Sequence, residues 1–395
     1  MDETIRAQYR GELEAIEAAG TRKVERVLAS PQGAEVLTAG HWVRNFCANN
    51  YLGLAADPRL IAAAHAALDT DGYGMASVRF ICGTATVHTE LETALARFLS
   101  AEAAILYSSC FDANGGVFET LLGEGDVVIS DQLNHASIID GIRLCSARRL
   151  RYQNRDLDDL RRCLVDAATA RRVLVVTDGV FSMDGHLAPL REICDLAEEF
   201  GAMVMVDDSH GVGVCGPSGR GTLEHFGVED RVDLVSGTLG KALGGASGGY
   251  LAGRTELIEL CRQRSRPYLF SNALAPAIAA ASLVALELLE SSDAARLQLW
   301  RNASRLRQGL TAAGFTVLEG EHPIVPVLLG EAALATAMAD ALLDEGIYAV
   351  AFSYPVVPVG SARIRLQCSA AHADADVDHA VAAFIAARAR CAELR

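Results

Sequence analysis

Lysine is nearly absent from this chain. Of its 35 basic side chains only Lys23 and Lys241 are lysine and the other 33 are arginine, against 50 acids, for a formal charge of −15. That balance excludes a protein that grips nucleic-acid backbones with clustered cations. The one local basic run, Arg262, Arg264 and Arg266 in CRQRSRP, reads as a solvated helix face, with a role in meeting an anionic substrate as the alternative. The ten cysteines and ten histidines include no Cys-x-x-Cys pair and no zinc-ligand spacing, so no metal centre is expected and the thiols read as reduced. No stretch approaches the ~20 uninterrupted apolar residues that span a bilayer. The segment MDETIRAQYRGELEAIEAAG has no signal-peptide core and too many acids for a transit peptide. Proline–serine tracts, charge blocks and short repeats are missing too, which excludes a disordered chain. The expectation is a soluble, cytoplasmic protein that binds neither membrane nor nucleic acid.

What is present is an alternation. Short apolar runs, AAILYS (103–108), DVVISD (126–131), VLVVTD (173–178), MVMVDD (203–208), VDLVSG (232–237) and GGYLAG (248–253), are separated by helical patterns such as TELETALARFL (89–99) and REICDLAEEFGA (191–202). This predicts an α/β fold with a mostly parallel sheet, buried on both faces and wrapped in helices. From about Asn272 the texture changes to a long Ala/Leu-rich helix (273–314), short strands at 315–318 and 324–329, another helix, and ARIRLQ. A chain of 395 residues exceeds one ordinary core. We read an N-terminal helical arm (1–55), a large domain (56–275) and a small C-terminal α/β domain (276–395).

Several of the strand runs end in polar residues, and in open α/β sheets the ligand crevice lies beyond those ends. Two nucleotide motifs in this region fail. GVGVCG (211–216) matches G-x-G-x-x-G, but Pro217, Ser218 and Gly219 follow it where a helix should begin, and GTLGKA (237–242) has glycine spacing too short for a P-loop. Lys241 itself is distinctive: arginine cannot form an ordinary Schiff base with an aldehyde, and lysine can. A chain that meets its other needs with arginine has kept an amine in a glycine-rich loop. Such an amine suggests pyridoxal 5′-phosphate (PLP), which also needs an acid at its ring nitrogen and donors for its phosphate. Asp207 or Asp208 could supply the acid. The backbone N–H groups of Cys110 and Phe111, at a predicted helix start, and the Thr238 hydroxyl could meet the phosphate; Ser108 or Ser109 as a plain helix cap is the competing reading. His135 could stack on the ring and His210 could bond its phenolic oxygen.

The segments FCANNYLGL (46–54), GYGMASVRFICGT (72–84), SSCFDANGG (108–116), VFSMDGHLAPL (180–190), VMVDDSHGVG (204–213) and GTLGKALGGASGGY (237–250) together resemble the α-oxoamine synthases, PLP enzymes of fold type I. The resemblance covers essentially the whole chain. It implies Lys241 as the lysine that carries the cofactor, Asp207 as the ring-nitrogen partner, His135 stacked on the ring, His210 at the phenolic oxygen and Ser182 at a cofactor contact. It implies that Ser271 and Asn272 reach the cofactor of a neighbouring subunit in a homodimer, and that Asn49 and Arg365 contact substrate along with His135 and Ser182. Strand period alone leaves Arg363 and Arg365 on one face and does not choose between them. The implied activity is an acyltransferase that cleaves 2-amino-3-oxobutanoate with coenzyme A to glycine and acetyl-CoA, reversibly, in threonine degradation; another amino acid or a longer acyl-CoA is the alternative.

Overall fold

The computed structural model describes residues 1–18, 22–354 and 356–392. A hairpin of β1 (Glu35–Thr38) and β2 (His41–Asn45) precedes the main sheet. That sheet contains β3 (Ala103–Tyr107), β4 (Val127–Asp131), β5 (Arg148–Tyr152), β6 (Val173–Asp178), β7 (Met203–Asp207), β8 (Leu234–Thr238) and β9 (Gly249–Gly253). Their order is β3-β9-β8-β7-β6-β4-β5, with every pairing from β8 to β5 parallel and β9 antiparallel to both its neighbours. The mostly parallel sheet expected from the apolar runs is therefore present. One strand escaped the pattern. β5 reads RRLRY because it lies at the sheet edge, where Arg148, Arg149 and Arg151 face water.

Alternate residues of the inner strands enter separate cores. Val128, Leu174, Val176 and Met205 pack with Val117, Phe118 and Ile138 on one face, and Val127, Ile129, Val175, Val204 and Val206 pack with Leu160, Ile193 and Leu196 on the other. A sheet covered on both sides leaves its strand ends as the place where polar side chains can gather.

The C-terminal part carries β10 (Ile324–Gly330), β11 (Ile347–Tyr348), β12 (Val350–Phe352) and β13 (Ala362–Gln367), with β10, β13 and β12 antiparallel. β11 instead pairs parallel with β2, so the chain before the main sheet is joined to the chain after it. The run 273–314 is two helices, Pro276–Ser291 and Ala294–Ala312, broken at Ser292 and Asp293. Residues 315–318 make one isolated bridge, Val317 to Val327, and no strand. In the N-terminal segment the helix covers Glu3–Ala18, after which the described backbone up to β1 is not helical.

The basic run at 262–266 divides. Arg264 and Arg266 are exposed, as a solvated face requires. Arg262 turns inward: its Nη1 donates to Tyr268 Oη at 2.9 Å and its Nη2 to Glu92 Oε2 at 3.3 Å. The same carboxylate accepts from Arg79 Nη1 at 2.8 Å and from the Leu106 backbone N–H at 3.2 Å, which ties the helix Thr86–Phe98 and the 262–268 segment to β3. Removing the acid leaves Arg79, whose side chain is 4% exposed, without its partner. Glu92→Leu should therefore lower stability by about 3 kcal/mol, read as a drop in the urea midpoint; an unchanged midpoint contradicts this role.

Candidate active site

The ends of four parallel strands and of β3 converge on one pocket, with about 620 Å³ of empty space including its open mouth. Ser109, Cys110, Phe111, His135, Asp178, Ser182, Asp207, His210, Thr238 and Lys241 are among its lining residues. Each arrives from a strand end. Cys110 opens the helix Cys110–Leu121 just after β3, His135 caps the helix Ala136–Leu144 after β4, Asp178 ends β6, Asp207 ends β7 and Thr238 ends β8. Lys241 follows in the glycine-rich turn beyond β8.

Burial is the dominant force on Lys241. It pulls the amine below its ordinary value, against the opposing pull of Asp207, Cys110 and Asp178. An amine so held is closer to the neutral, nucleophilic form. Asp207 is built to stay in place: its Oδ2 accepts from Asn114 Nδ2 at 2.6 Å and from the Cys110 thiol at 3.6 Å, and its Oδ1 accepts from the Ser209 backbone N–H at 3.0 Å. Asn114 also donates to Ser137 Oγ at 2.9 Å. The neighbouring Asp178 is driven well above the usual carboxylate range by burial and then by Asp207, while it accepts the His135 backbone N–H at 3.1 Å.

Asp207 and Asp208 differ in direction, and of the two only Asp207 lines the pocket. Asp208 points away from the pocket, accepting from the Thr222 backbone N–H at 2.7 Å and from Thr222 Oγ1 at 2.8 Å. It pins the 211–222 turn so closely that a Cβ on Gly221 would come within 1.9 Å of its Oδ2. GVGVCG is consequently a turn folded around a buried carboxylate, with no helix start at its end.

At the other strand ends, Ser109 is the helix cap, with its hydroxyl accepting from Asp112 N at 3.0 Å. The cap leaves the N–H groups of Cys110 and Phe111 in the first turn, where a helix has no carbonyl for them. Gly249 lets β9 approach this corner: a Cβ there would meet Cys110 N at 2.1 Å. Thr238 Oγ1 accepts from Gly240 N at 3.0 Å and so shapes the lysine turn. The His135 ring is held by Ser137 Oγ, 2.7 Å from its Nδ1, with the Phe111 ring edge-on at 6.4 Å, and burial lowers its proton affinity.

The pocket does not include all the expected residues. Arg365, on β13, lies outside the lining but donates from Nη1 to the carbonyl of the lining residue Ser182 at 2.9 Å, has its guanidinium 4.7 Å over the Phe352 ring, and leaves its buried Nε without a partner among the described residues. Arg363, two residues earlier, is spent on an ion pair with Asp184 and a bond to the Ser361 carbonyl at 3.0 Å. Of the two, Arg365 is thus the arginine with a donor left unspent among the described residues. Asn49 has a buried Oδ1 with no partner among the described residues. Ser271 and Asn272 lie just beyond the short helix Arg266–Phe270, outside this chain's pocket lining.

Asn114 and Ser137 were not expected as site residues from the sequence, whereas Asp178 and Ser209 were expected at the converging strand ends but without a role. Asn114 carried the readable signal, a polar residue on the inward face of a helix otherwise packed with Ala113, Val117 and Phe118. The contrast between the two arginines predicts opposite stability effects. Arg363→Met should cost about 3 kcal/mol by leaving Asp184 unpaired, whereas Arg365→Met should leave the denaturation midpoint unchanged or raise it. The reverse order in a urea titration would overturn this assignment.

A family model described as aminotransferase class I and II matches residues 43–384. The chain is 58% identical over 380 residues to 2-amino-3-ketobutyrate coenzyme A ligase of Escherichia coli K12, covering 95% of this chain and 96% of that one. It is 48% identical over 373 residues to 8-amino-7-oxononanoate synthase of Thermosipho melanesiensis, covering 94% and 95% respectively. A solved structure of SPT with PLP internal aldimine superposes with a TM-score of 0.94 at 33% identity, covering 99% of this chain and all of that one. With its pocket at the strand ends and these likenesses running nearly end to end, the chain belongs to the class I and II aminotransferase family and, within it, to the α-oxoamine synthases.

Proposed function

We propose that this protein is a PLP-dependent glycine C-acetyltransferase, which cleaves 2-amino-3-oxobutanoate with coenzyme A to glycine and acetyl-CoA and also runs the reverse condensation. The observation that carries the proposal is the half-buried Lys241 amine set against Asp207 in a pocket whose lining residue Ser182 is bonded by Arg365, an arginine with its Nε unspent among the described residues. That donor set fits PLP, with an amine for its aldehyde, a fixed carboxylate for its ring nitrogen and first-turn N–H groups for its phosphate. When bound, PLP supplies the aldehyde that joins an amine and the ring that accepts the electrons of a cleaved Cα bond.

The chain's own residues divide the remaining work. Lys241 anchors the cofactor and, once released, delivers a proton to the glycine Cα as general acid. Asp207, immobilised by Asn114, holds a proton at the ring nitrogen. His135 covers one ring face, His210 meets the phenolic oxygen, Ser182 contacts the cofactor and substrate, and Cys110, Phe111 and Thr238 bind the phosphate. Arg365 grips the amino-acid carboxylate, its Nε being unused by any described residue, and Asn49 offers an acceptor to the substrate. Holding the carboxylate determines which Cα bond is presented for cleavage.

The acetyl group is favoured by the stronger likeness to the ligase than to the longer-chain synthase. A homodimer is favoured by Tyr73, Phe80, Ile81 and Phe270, 91%, 65%, 69% and 69% exposed. Phe270 adjoins Ser271 and Asn272, which in this reading complete the neighbouring subunit's site. The arm (1–55), large domain (56–275) and small domain (276–395) remain our proposed division. Residues 19–21, 355 and 393–395 of it lie outside the described residues. A cytoplasmic setting is favoured by ten free cysteines, and among the described residues no helix is long and apolar enough to cross a membrane.

Lys241→Arg keeps the charge and loses the amine chemistry. Glycine-dependent turnover of acetyl-CoA should fall by at least about 10³-fold, together with the visible absorbance of lysine-linked PLP; retained turnover would refute the proposal. With the wild type, acetyl-CoA should outperform longer thioesters, and a preference for a long chain would transfer the protein to the synthase reading.

A further inference from the structure

His210 is connected, on the side away from the pocket, to two buried residues that the proposed reaction does not use. Tyr51 Oη lies 2.8 Å from His210 Nδ1 and 2.7 Å from Gln367 Oε1. The Gln367 amide is oriented by its other end, since its Nε2 donates to the Cys47 carbonyl at 3.2 Å. Turning it over would set its oxygen against that carbonyl, acceptor to acceptor. Gln367 Oε1 therefore faces Tyr51, and a contact of this length between two oxygens requires a proton between them.

A phenol has one proton to give, and here it goes to Gln367. The contact between Tyr51 and His210 must then be made by hydrogen on Nδ1. A neutral imidazole has a single N–H, so Nε2 is bare. Both groups hold these states: burial, then Lys241 and Arg365, keep His210 well below its ordinary proton affinity, and burial pushes the Tyr51 phenol up. The geometry is braced by His322, whose Nε2 donates to the His210 carbonyl at 2.9 Å and whose ring stands edge-on to Tyr51 at 5.6 Å. His210 lines the pocket while Tyr51 and Gln367 do not, so the free side of the imidazole faces the ligand.

We propose that Tyr51 and Gln367 lock His210 in its Nδ1–H tautomer, so that it presents a bare Nε2 to the pocket and accepts a hydrogen bond or proton there instead of donating one. Tyr51 and Gln367 are positioning residues acting through His210. The tautomer stands on the protein alone. Its consequence rests on the proposed function: at the phenolic oxygen of PLP, a bare Nε2 favours the protonated phenol over the phenolate, making His210 an acceptor in the resting site.

Long-range ¹H–¹⁵N spectra of the full-length, cofactor-free protein labelled at histidine nitrogen test the lock, with His210→Asn identifying the signal. The expected wild-type pattern is a protonated Nδ1 and an unprotonated Nε2. Gln367→Leu should invert it, because the Tyr51 hydroxyl, released from Gln367, donates to Nδ1 and moves the hydrogen to Nε2. Gln367→Glu, buried and protonated so that its hydroxyl donates to the Cys47 carbonyl, keeps an acceptor toward Tyr51 and should keep the wild-type pattern. A protonated Nε2 in the wild type overturns the proposal whether or not any variant folds, and so does an uninverted pattern in Gln367→Leu. A second readout concerns the loaded protein. In Gln367→Leu the cofactor phenol should deprotonate about tenfold more readily in an absorbance titration, a downward shift of about one pH unit. An inverted tautomer with an unmoved titration would overturn the contact of His210 with the phenol, and with it that part of the proposed function, while the lock stands.

Discussion

The structure depends on holding the half-buried amine of Lys241 within the electrostatic reach of Asp207. A lone ammonium would be costly in that position, and a free carboxylate beside it equally so. The fold solves this at the only place where a sheet buried on both faces can assemble polar groups, the ends of its parallel strands. Asn114, Cys110 and the Ser209 N–H saturate Asp207 from one side, leaving the amine to burial and to the ligand. Nearby carboxyls are kept from competing: Asp178 is held toward its neutral form, and Asp208, pushed up to about 7 by burial, is turned to Thr222.

Around that pair, residues of the same type are separated by whether the protein satisfies them. Arg363 has its carboxylate in Asp184, and Arg365 has an unsatisfied Nε. Ser109 spends its hydroxyl on a helix cap and thereby frees the position of the backbone N–H groups beside it.

Much of this was legible in the chain. The apolar runs located six of the seven main strands, because a doubly buried strand must be apolar throughout, and β5 was hidden because its arginines face water at an edge. Strand direction was not legible: the antiparallel β9 carries the same hydrophobic pattern as a parallel strand. Lys241 stood out by scarcity, and His135, Asp207 and Thr238 by their place at strand ends. Choosing Asp207 over Asp208, or Arg365 over Arg363, needed either the family resemblance or the three-dimensional partners, since neighbouring residues share composition and differ in what they face. The roles of Tyr51 and Gln367 were beyond sequence reading, as they are 316 positions apart and meet only through one hydrogen bond.

The presence of only two lysines allows the central claim to be tested at a single atom. Borohydride reduces an imine between lysine and PLP to a stable secondary amine, and peptide mass spectrometry then reports which lysine carried it. Stoichiometric labelling of Lys241 and none of Lys23 is expected in the protein loaded with PLP. Label confined to Lys23, or none on either, would contradict it.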